Sequence, residues 1–198
     1  MFGDPVTNPM GWEVLKLSDI CDVRDGTHDS PEYVVEGYPL ITSKNVTSGE
    51  LDFTDVNFIS FEDYNQINRR SKVDKGDIIM PMIGTIGKPI IVDTNREFAI
   101  KNVALIKFNK TDVQNIYIWL LLSSNYFDTI AKDHNRGGTQ KFIALGDIRK
   151  LPIPLPPLPL QNRFSDFVRQ TDKSKFEIQQ GLEKLELQYN ALMQQYFG

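Results

Sequence analysis

The alternation of apolar and polar positions along Trp12-Glu13-Val14-Leu15-Lys16-Leu17 predicts a β-strand near the start of the fold. Leu40-Ile41 and Val46 flank a polar turn, Thr42-Ser43-Lys44-Asn45. Ser60-Phe61-Glu62-Asp63 has the pattern of a helix start, with a serine at the cap and acids in the first turn. Lys75-Gly76-Asp77 forms a turn before the apolar run Ile78-Ile79-Met80, which predicts a buried strand whose pairing Pro81 limits. A second glycine turn, Gly84-Thr85-Ile86-Gly87-Lys88-Pro89, leads into a strand at Ile90-Ile91-Val92. Asn102 to Phe108 predicts another strand. Thr111-Asp112-Val113-Gln114 fits a capping box, opening an apolar helix through about Ala131. Asn135-Arg136-Gly137-Gly138-Thr139-Gln140-Lys141 is a polar, basic loop. The pattern is that of a mixed α+β globular domain over residues 1–150.

The next stretch changes character. Residues 152–159 contain five prolines, which exclude a helix and favour an extended polyproline conformation. Residues 151–159 are expected to form a stiff spacer, with a ligand for a proline-binding module as the other reading. Pro159 suits the first turn of a following helix. Over residues 160–198, Phe164, Val168, Thr171, Lys175, Ile178, Leu182, Leu185, Tyr189, Leu192 and Tyr196 are spaced alternately by four and three. This is the seam of a coiled coil. Only Thr171 and Lys175 interrupt its apolar character. A helix of about 36 residues is about 54 Å long. It calls for a partner helix, the alternative being that it packs back on its own domain. Phe176, Leu187 and Phe197 lie off the seam and suggest a second contact surface.

Charge adds a constraint. The 198-residue chain has a net charge of −4, which argues against a general nucleic-acid coat protein. The distribution is uneven: residues 1–60 carry three basic and eleven acidic side chains, whereas residues 61–150 carry fourteen basic and ten acidic. The middle of the chain is the part suited to face phosphate, unless its charges form only a solvated mixed surface. The single cysteine, Cys21, permits no internal disulfide, which suits a reducing cytoplasm. It reads as a core residue, with a reactive thiol as the alternative. The N-terminus lacks the pattern of a signal peptide, and the longest apolar stretch, around Trp119-Leu120-Leu121-Leu122, is too short to span a bilayer. The expected location is the cytoplasm.

Catalytic patterns are sparse. His28, His134 and Cys21 do not supply a zinc site. Gly87-Lys88 resembles the end of a phosphate-binding loop, but Met82 stands where the first glycine belongs and Pro89 replaces the required hydroxyl residue. There is no nucleophile elbow and no glycine-rich nucleotide loop after a strand. No metal ligands, no cofactor and no catalytic residues are expected on this chain.

Taken in order, several stretches resemble the DNA-specificity (S) subunits of type I restriction–modification systems. They are Gly11-Trp12-Glu13-Val14 with Leu17, then Leu40-Ile41-Thr42-Ser43-Lys44-Asn45-Val46, then Gly76-Asp77-Ile78-Ile79 followed by Gly84-Thr85-Ile86-Gly87. The most specific stretch is Arg136-Gly137-Gly138-Thr139-Gln140-Lys141-Phe142, with Ile148, the run Leu151 to Leu158, Gln161 and the long heptad helix. The resemblance implies a target recognition domain followed by a spacer helix. Members of that family usually carry two of each, whereas this chain has one, as if one repeat had been taken from a tandem. It therefore implies a half-length form that dimerises. It also implies double-stranded DNA, a DNA adenine methyltransferase subunit and a restriction/translocase subunit as partners. S-adenosylmethionine, magnesium and ATP would belong to those partners, and the methyltransferase would flip an adenine from each half-site.

Within that scheme a recognition domain reads base edges in a groove, while backbone contacts set register and carry salt dependence. Thr27, His28, Ser43, Lys44 and Asn45 are candidates for bases or phosphates, as polar groups on short turns. The alternative for Asn45 is that it caps a turn. Thr85 and Lys88 on the glycine turn are further candidates. In the loop of Arg136, Gly138, Thr139, Gln140 and Lys141 the glycines let backbone amides approach an anion and the flanking charges favour phosphate, unless the loop only positions the proline segment. Phe164, Val168, Ile178, Leu182, Leu185, Tyr189, Leu192 and Tyr196 are the expected dimer interface. A coiled-coil adaptor whose globular head binds protein is the competing function, favoured by the acidic N-terminal third.

Overall fold

The computed structural model describes residues 1–46, 49–83, 88–109, 111–131 and 142–198. These form two compact units, Met1–Leu158 and Pro159–Gly198. In chain order the first unit contains β1 (Glu13–Lys16), α1 (Leu17–Ile20), β2 (Asp22–Asp25), β3 (Tyr33–Val34) and β4 (Tyr38–Ile41). A 3-10 turn at Ser43–Val46, β5 (Asn57–Ile59), α2 (Phe61–Ser71), β6 (Ile78–Pro81), β7 (Ile90–Ile91) and β8 (Ala99–Ile100) follow. Then come β9 (Val103–Lys107), α3 (Asn115–Ser123), α4 (Asn125–Ala131), α5 (Leu145–Arg149) and β10 (Pro152–Leu155). The second unit is helix α6 (Leu158–Phe197). The mixed α+β architecture and the long C-terminal helix match the sequence expectation.

One sheet organises the core. Its strand order is β2-β9-β6-β7, antiparallel throughout. Both faces are covered, so β6 and β9 are continuous apolar runs rather than alternating ones. Ile78, Met80, Ala104 and Ile106 pack with α3, α4 and α5 residues such as Ile118, Leu122, Phe127 and Ile148. Ile79, Val103 and Leu105 point the other way, against Ile41, Val46, Phe98 and Ile100. That second layer belongs to a sheet of order β3-β5-β4-β8, in which β4 and β8 run parallel. Each fully buried Ile or Leu here contributes roughly 1.5–3 kcal/mol. Cys21 is buried in the first layer, and desolvation pushes its thiol up to about 12. The core reading of Cys21 is therefore the one the structure supports.

Local signals are borne out unevenly. Ser60 caps α2 as expected: its Oγ accepts from the Asp63 amide at 3.1 Å and donates to the Asp63 carboxylate at 3.0 Å. Thr111 does not cap α3. Its hydroxyl donates instead to the Ile20 carbonyl at 2.6 Å, and the helix begins four residues later after Gln114, which makes no side-chain cap bond. The expected single helix through Ala131 is also broken at Ser124, whose extended backbone separates α3 from α4 while its Oγ donates to the Leu121 carbonyl at 2.7 Å.

The proline segment differs from the expected spacer. Pro152–Leu155 is extended, but it is a paired strand: β10 runs antiparallel to β1, with Val14 opposite Pro154 and Lys16 opposite Pro152. A two-stranded sheet has only edges, so the missing proline N–H groups interrupt no central ladder. The carbonyls of Pro154 and Pro152 receive the hydroxyls of Tyr117 and Tyr126. The segment thus closes the domain's beginning onto its end. Among the described residues, no helix is long and apolar enough to cross a membrane.

Candidate nucleic-acid interface

Strand β2 is short and charged, and its last residue, Asp25, is 7% exposed. The chain then passes Gly26, where a Cβ would collide with the Ile100 carbonyl. Only glycine permits that approach. It lets Gly26 donate to the Val103 carbonyl, Thr27 to the Ile100 carbonyl and Asn102 to the Thr27 carbonyl, at 3.0, 3.0 and 3.2 Å. Asn102 itself sits at φ 55°, a left-handed conformation that asparagine tolerates. The Thr27–His28 turn is thereby tied to the β8–β9 turn.

These constraints place the His28 ring between two acceptors. Nε2 is 2.8 Å from Asp25 Oδ2 and Nδ1 is 2.9 Å from Asn102 Oδ1. An imidazolium donates to both at once, whereas a neutral ring donates only one N–H. The His28 pKa is accordingly raised, first by the bond to Asn102 and then by that to Asp25, against slight burial and the nearby Arg70 charge.

Helix α2 delivers the opposite wall. Its last turn carries Arg69 and Arg70. The Arg70 Nη2 pairs with Asp25 Oδ1, so one carboxylate holds both a guanidinium and an imidazole. Arg24 Nη1 donates to the Arg70 carbonyl at 2.8 Å, and Lys107 Nζ to the Lys72 carbonyl at 2.9 Å. Cations thus satisfy the helix's terminal carbonyls and offset its C-terminal dipole. Asp22 accepts from Arg24 Nε and Nη2 at 3.0 and 2.6 Å and raises the Arg24 pKa. Arg149, from α5, donates to the Val23 carbonyl at 3.0 and 2.8 Å.

The outcome is an open groove lined by four arginines, Arg24, Arg69, Arg70 and Arg149, with His28, against one aspartate, Asp25. It continues along Thr27, Asp29, Gln66 and Ser71. A surface this basic on a chain of net charge −4 is a local concentration of donors suited to phosphate oxygens or base acceptors. Among the described residues, no three His, Cys, Asp or Glu side chains converge as metal ligands would.

The residues expected from sequence distribute around this groove. Thr27 and His28 line it. Ser43 donates to the Asn102 carbonyl at 3.3 Å and so adjoins the same turn. Lys44 is exposed and paired with Asp55 at 2.9 Å. Asn45 is 2% exposed. Its amide nitrogen donates to the Asp52 and Asp55 carbonyls at 3.2 and 2.8 Å, and its oxygen accepts from Thr42 at 3.0 Å twice. With its groups engaged internally, Asn45 holds the turn and offers nothing to a base. Lys88 is exposed but outside the groove lining. Thr85, Arg136, Gly138, Thr139, Gln140 and Lys141 lie outside the described residues. Arg24, Arg69, Arg70 and Arg149 were not legible as site residues; only the basic balance of residues 61–150 hinted at three of them.

On helix α6, Ile178, Leu182, Leu185, Tyr189, Leu192 and Tyr196 are all exposed, while Phe164 and Val168 are half-buried. Phe176, Leu187 and Phe197, off the seam, are exposed as well.

Comparison with known proteins gives consistent matches. The model of the type I restriction modification DNA specificity domain matches residues 9–187. A putative type I restriction enzyme MjaX specificity subunit of Methanocaldococcus jannaschii is 28% identical over 200 residues, covering 96% of this chain and 46% of the relative. The type I restriction enzyme EcoBI specificity subunit of Escherichia coli is 27% identical over 168 residues, covering 82% of this chain and 35% of the relative. The chain therefore spans less than half the length of these relatives. Among solved structures, the HsdS subunit from Thermoanaerobacter tengcongensis shares the fold at a TM-score of 0.60 and 17% identity, covering 87% of this chain and 40% of that one. A chain from a structure of the type I R-M system matches at a TM-score of 0.61 and 19% identity, over 94% of this chain and 44% of that one.

Proposed function

Starting from the fact that the chain belongs to the type I restriction–modification DNA specificity family, we propose that it reads one half of a bipartite DNA site for such a complex. The observation that carries this reading is the groove of four arginines on a chain that is acidic as a whole. The α2 end, the Thr27–His28 turn and the β8–β9 turn present donors from rigid elements, as groove recognition requires. Lys44, on a neighbouring turn, supplies a further charge for the backbone.

In this scheme α6 pairs with a second copy of itself, or with an equivalent helix, through Ile178, Leu182, Leu185, Tyr189, Leu192 and Tyr196. Sequestering that apolar seam is the driving force. Two recognition units then belong to one particle and read two half-sites, symmetric ones in a homodimer. Chemistry belongs to other subunits: a DNA adenine methyltransferase with S-adenosylmethionine, and a restriction/translocase subunit with magnesium and ATP. This chain performs no covalent step.

The test is equilibrium binding to mixed genomic DNA across a salt series, followed by selection from a randomised duplex library. The expected results are salt-dependent affinity and enrichment of one sequence. A protein-binding adaptor would show neither. Methylation mapping in cells expressing the chain with its methyltransferase would then identify the modified site.

A further inference from the structure

Resting on that DNA-reading function, we infer that Arg70, oriented by Asp25, is a base reader that takes the O6 and N7 acceptors of a guanine in the major groove. Asp25 is the positioning residue that makes it one.

The argument starts from the exposure gradient in this cluster. The Asp25 side chain is 10% exposed, whereas the two donors it holds, His28 and Arg70, are 61% and 66% exposed. The two donors make burial of the carboxylate tolerable, but the exposed arginine itself gains little stability from such a bond. The effect of the arrangement is orientation. A free arginine side chain loses much rotamer freedom on binding, and a guanidinium already fixed at one nitrogen has lost much of it beforehand. Its remaining N–H groups keep the planar fork that matches the paired acceptors on a guanine edge.

Charge decides between base and phosphate. Asp25, although shared with His28, offsets part of the Arg70 charge and would repel a phosphate brought alongside it. A guanine edge carries two acceptors and no net charge, so the same carboxylate costs it little. Arg24 is also paired with a carboxylate, but its Nε and Nη2 are taken by Asp22 and its Nη1 by the Arg70 carbonyl, so its fork is already in use. Among the described residues no carboxylate is bonded to Arg69, and the guanidinium of Arg149 rests on the neutral Val23 carbonyl. Their full charges suit phosphate. One groove thus contains a carboxylate-held arginine with its fork still available, Arg70, beside Arg69 and Arg149, which no carboxylate holds among the described residues; this is the division between specifying and positioning contacts.

The experiment uses the full chain, alone and with the methyltransferase subunit proposed above. The probe is the duplex selected from a randomised library, remade with 7-deazaguanine at each guanine in turn, which removes N7 and leaves pairing intact. The expected result is one guanine per half-site at which the replacement weakens wild-type binding about tenfold or more. Arg70→Ala and Arg70→Lys should both lose that sensitivity while keeping the wild-type slope of log affinity against log salt. Asp25→Asn should lose it at the same guanine and nowhere else, and adding Arg70→Ala to it should cost nothing more. If Asp25→Asn fails to fold, the Arg70→Lys result still decides. Arg69→Ala is the contrast: equal weakening for all sequences, with the slope reduced by about 0.9. If Arg70→Ala behaves like Arg69→Ala and Arg70→Lys restores binding, Arg70 is a phosphate contact and the inference is overturned. If no guanine responds to 7-deaza replacement in a wild type that binds its selected site, it is likewise overturned. A wild type with no DNA affinity would instead remove the functional reading beneath it.

Discussion

His28 Nε2 stands 2.8 Å from Asp25 Oδ2, joining a solvent-facing imidazole to a buried carboxylate. The bond, with that to Asn102, raises the His28 pKa above its ordinary value of 6.5. A raised folded-state pKa stabilises the folded protein fully below the unfolded-state value, and that stability is lost as pH rises through the folded-state value. The His28 ring should therefore titrate above 6.5 in an NMR pH series. The loss in thermal stability on His28→Ala should be larger at pH 5.5 than at pH 8.5. A midpoint at or below 6.5 would show that the imidazolium bridge does not form.

Lys107 is a buried cation, 2.6 Å from Asp77 and 2.9 Å from Asp74, with Asp77 at least as buried. Removing one partner of a buried pair leaves an uncompensated charge. Lys107→Met should cost about 3–5 kcal/mol in chemical denaturation. The double change Lys107→Met with Asp77→Leu should recover much of that loss. A single change costing under about 1 kcal/mol would mean that water reaches the pair.

Neighbouring residues in the 3-10 turn should separate folding from binding. Asn45→Ala removes the side-chain partner of three backbone groups, the Thr42 amide and the Asp52 and Asp55 carbonyls, and should lower stability by about 1–2 kcal/mol. Lys44→Ala breaks an exposed ion pair and should change stability by less than about 0.5 kcal/mol, while weakening DNA binding at low and moderate salt. Unchanged affinity for Lys44→Ala would remove it from the interface.

The seam of α6 can be tested through assembly state. Leu182→Asp with Leu185→Asp would bury carboxylates in the pairing surface, so light scattering should show monomers where the wild type shows dimers. Persisting dimers would place the interface elsewhere, with Phe176 and Leu187 the next surface to change.

The sequence by itself determined what depends on neighbours along the chain. The apolar runs at Ile78-Ile79-Met80 and Val103 to Ile106 read as buried strands because they are short, rich in β-branched residues and bounded by turn residues. Ser60 and Asp63 lie within one turn of each other, so their reciprocal capping needs no tertiary partner. The heptad of α6 is likewise written in local spacing, as is the resemblance carried by short motifs in fixed order. Tertiary structure decided what depends on distant partners. Asp22–Asp25 shows no strand pattern, yet it becomes an edge strand because β9 offers it a ladder. The prolines of β10 pair with β1 from the other end of the domain, which no local rule predicts. Above all, Arg70 and His28 meet on Asp25 from positions 45 and 3 residues away. A charged residue in a sequence gives no sign of whether it will be buried, since burial of a carboxylate is tolerable only where the fold supplies donors, and those donors come from elements that the local pattern cannot bring together.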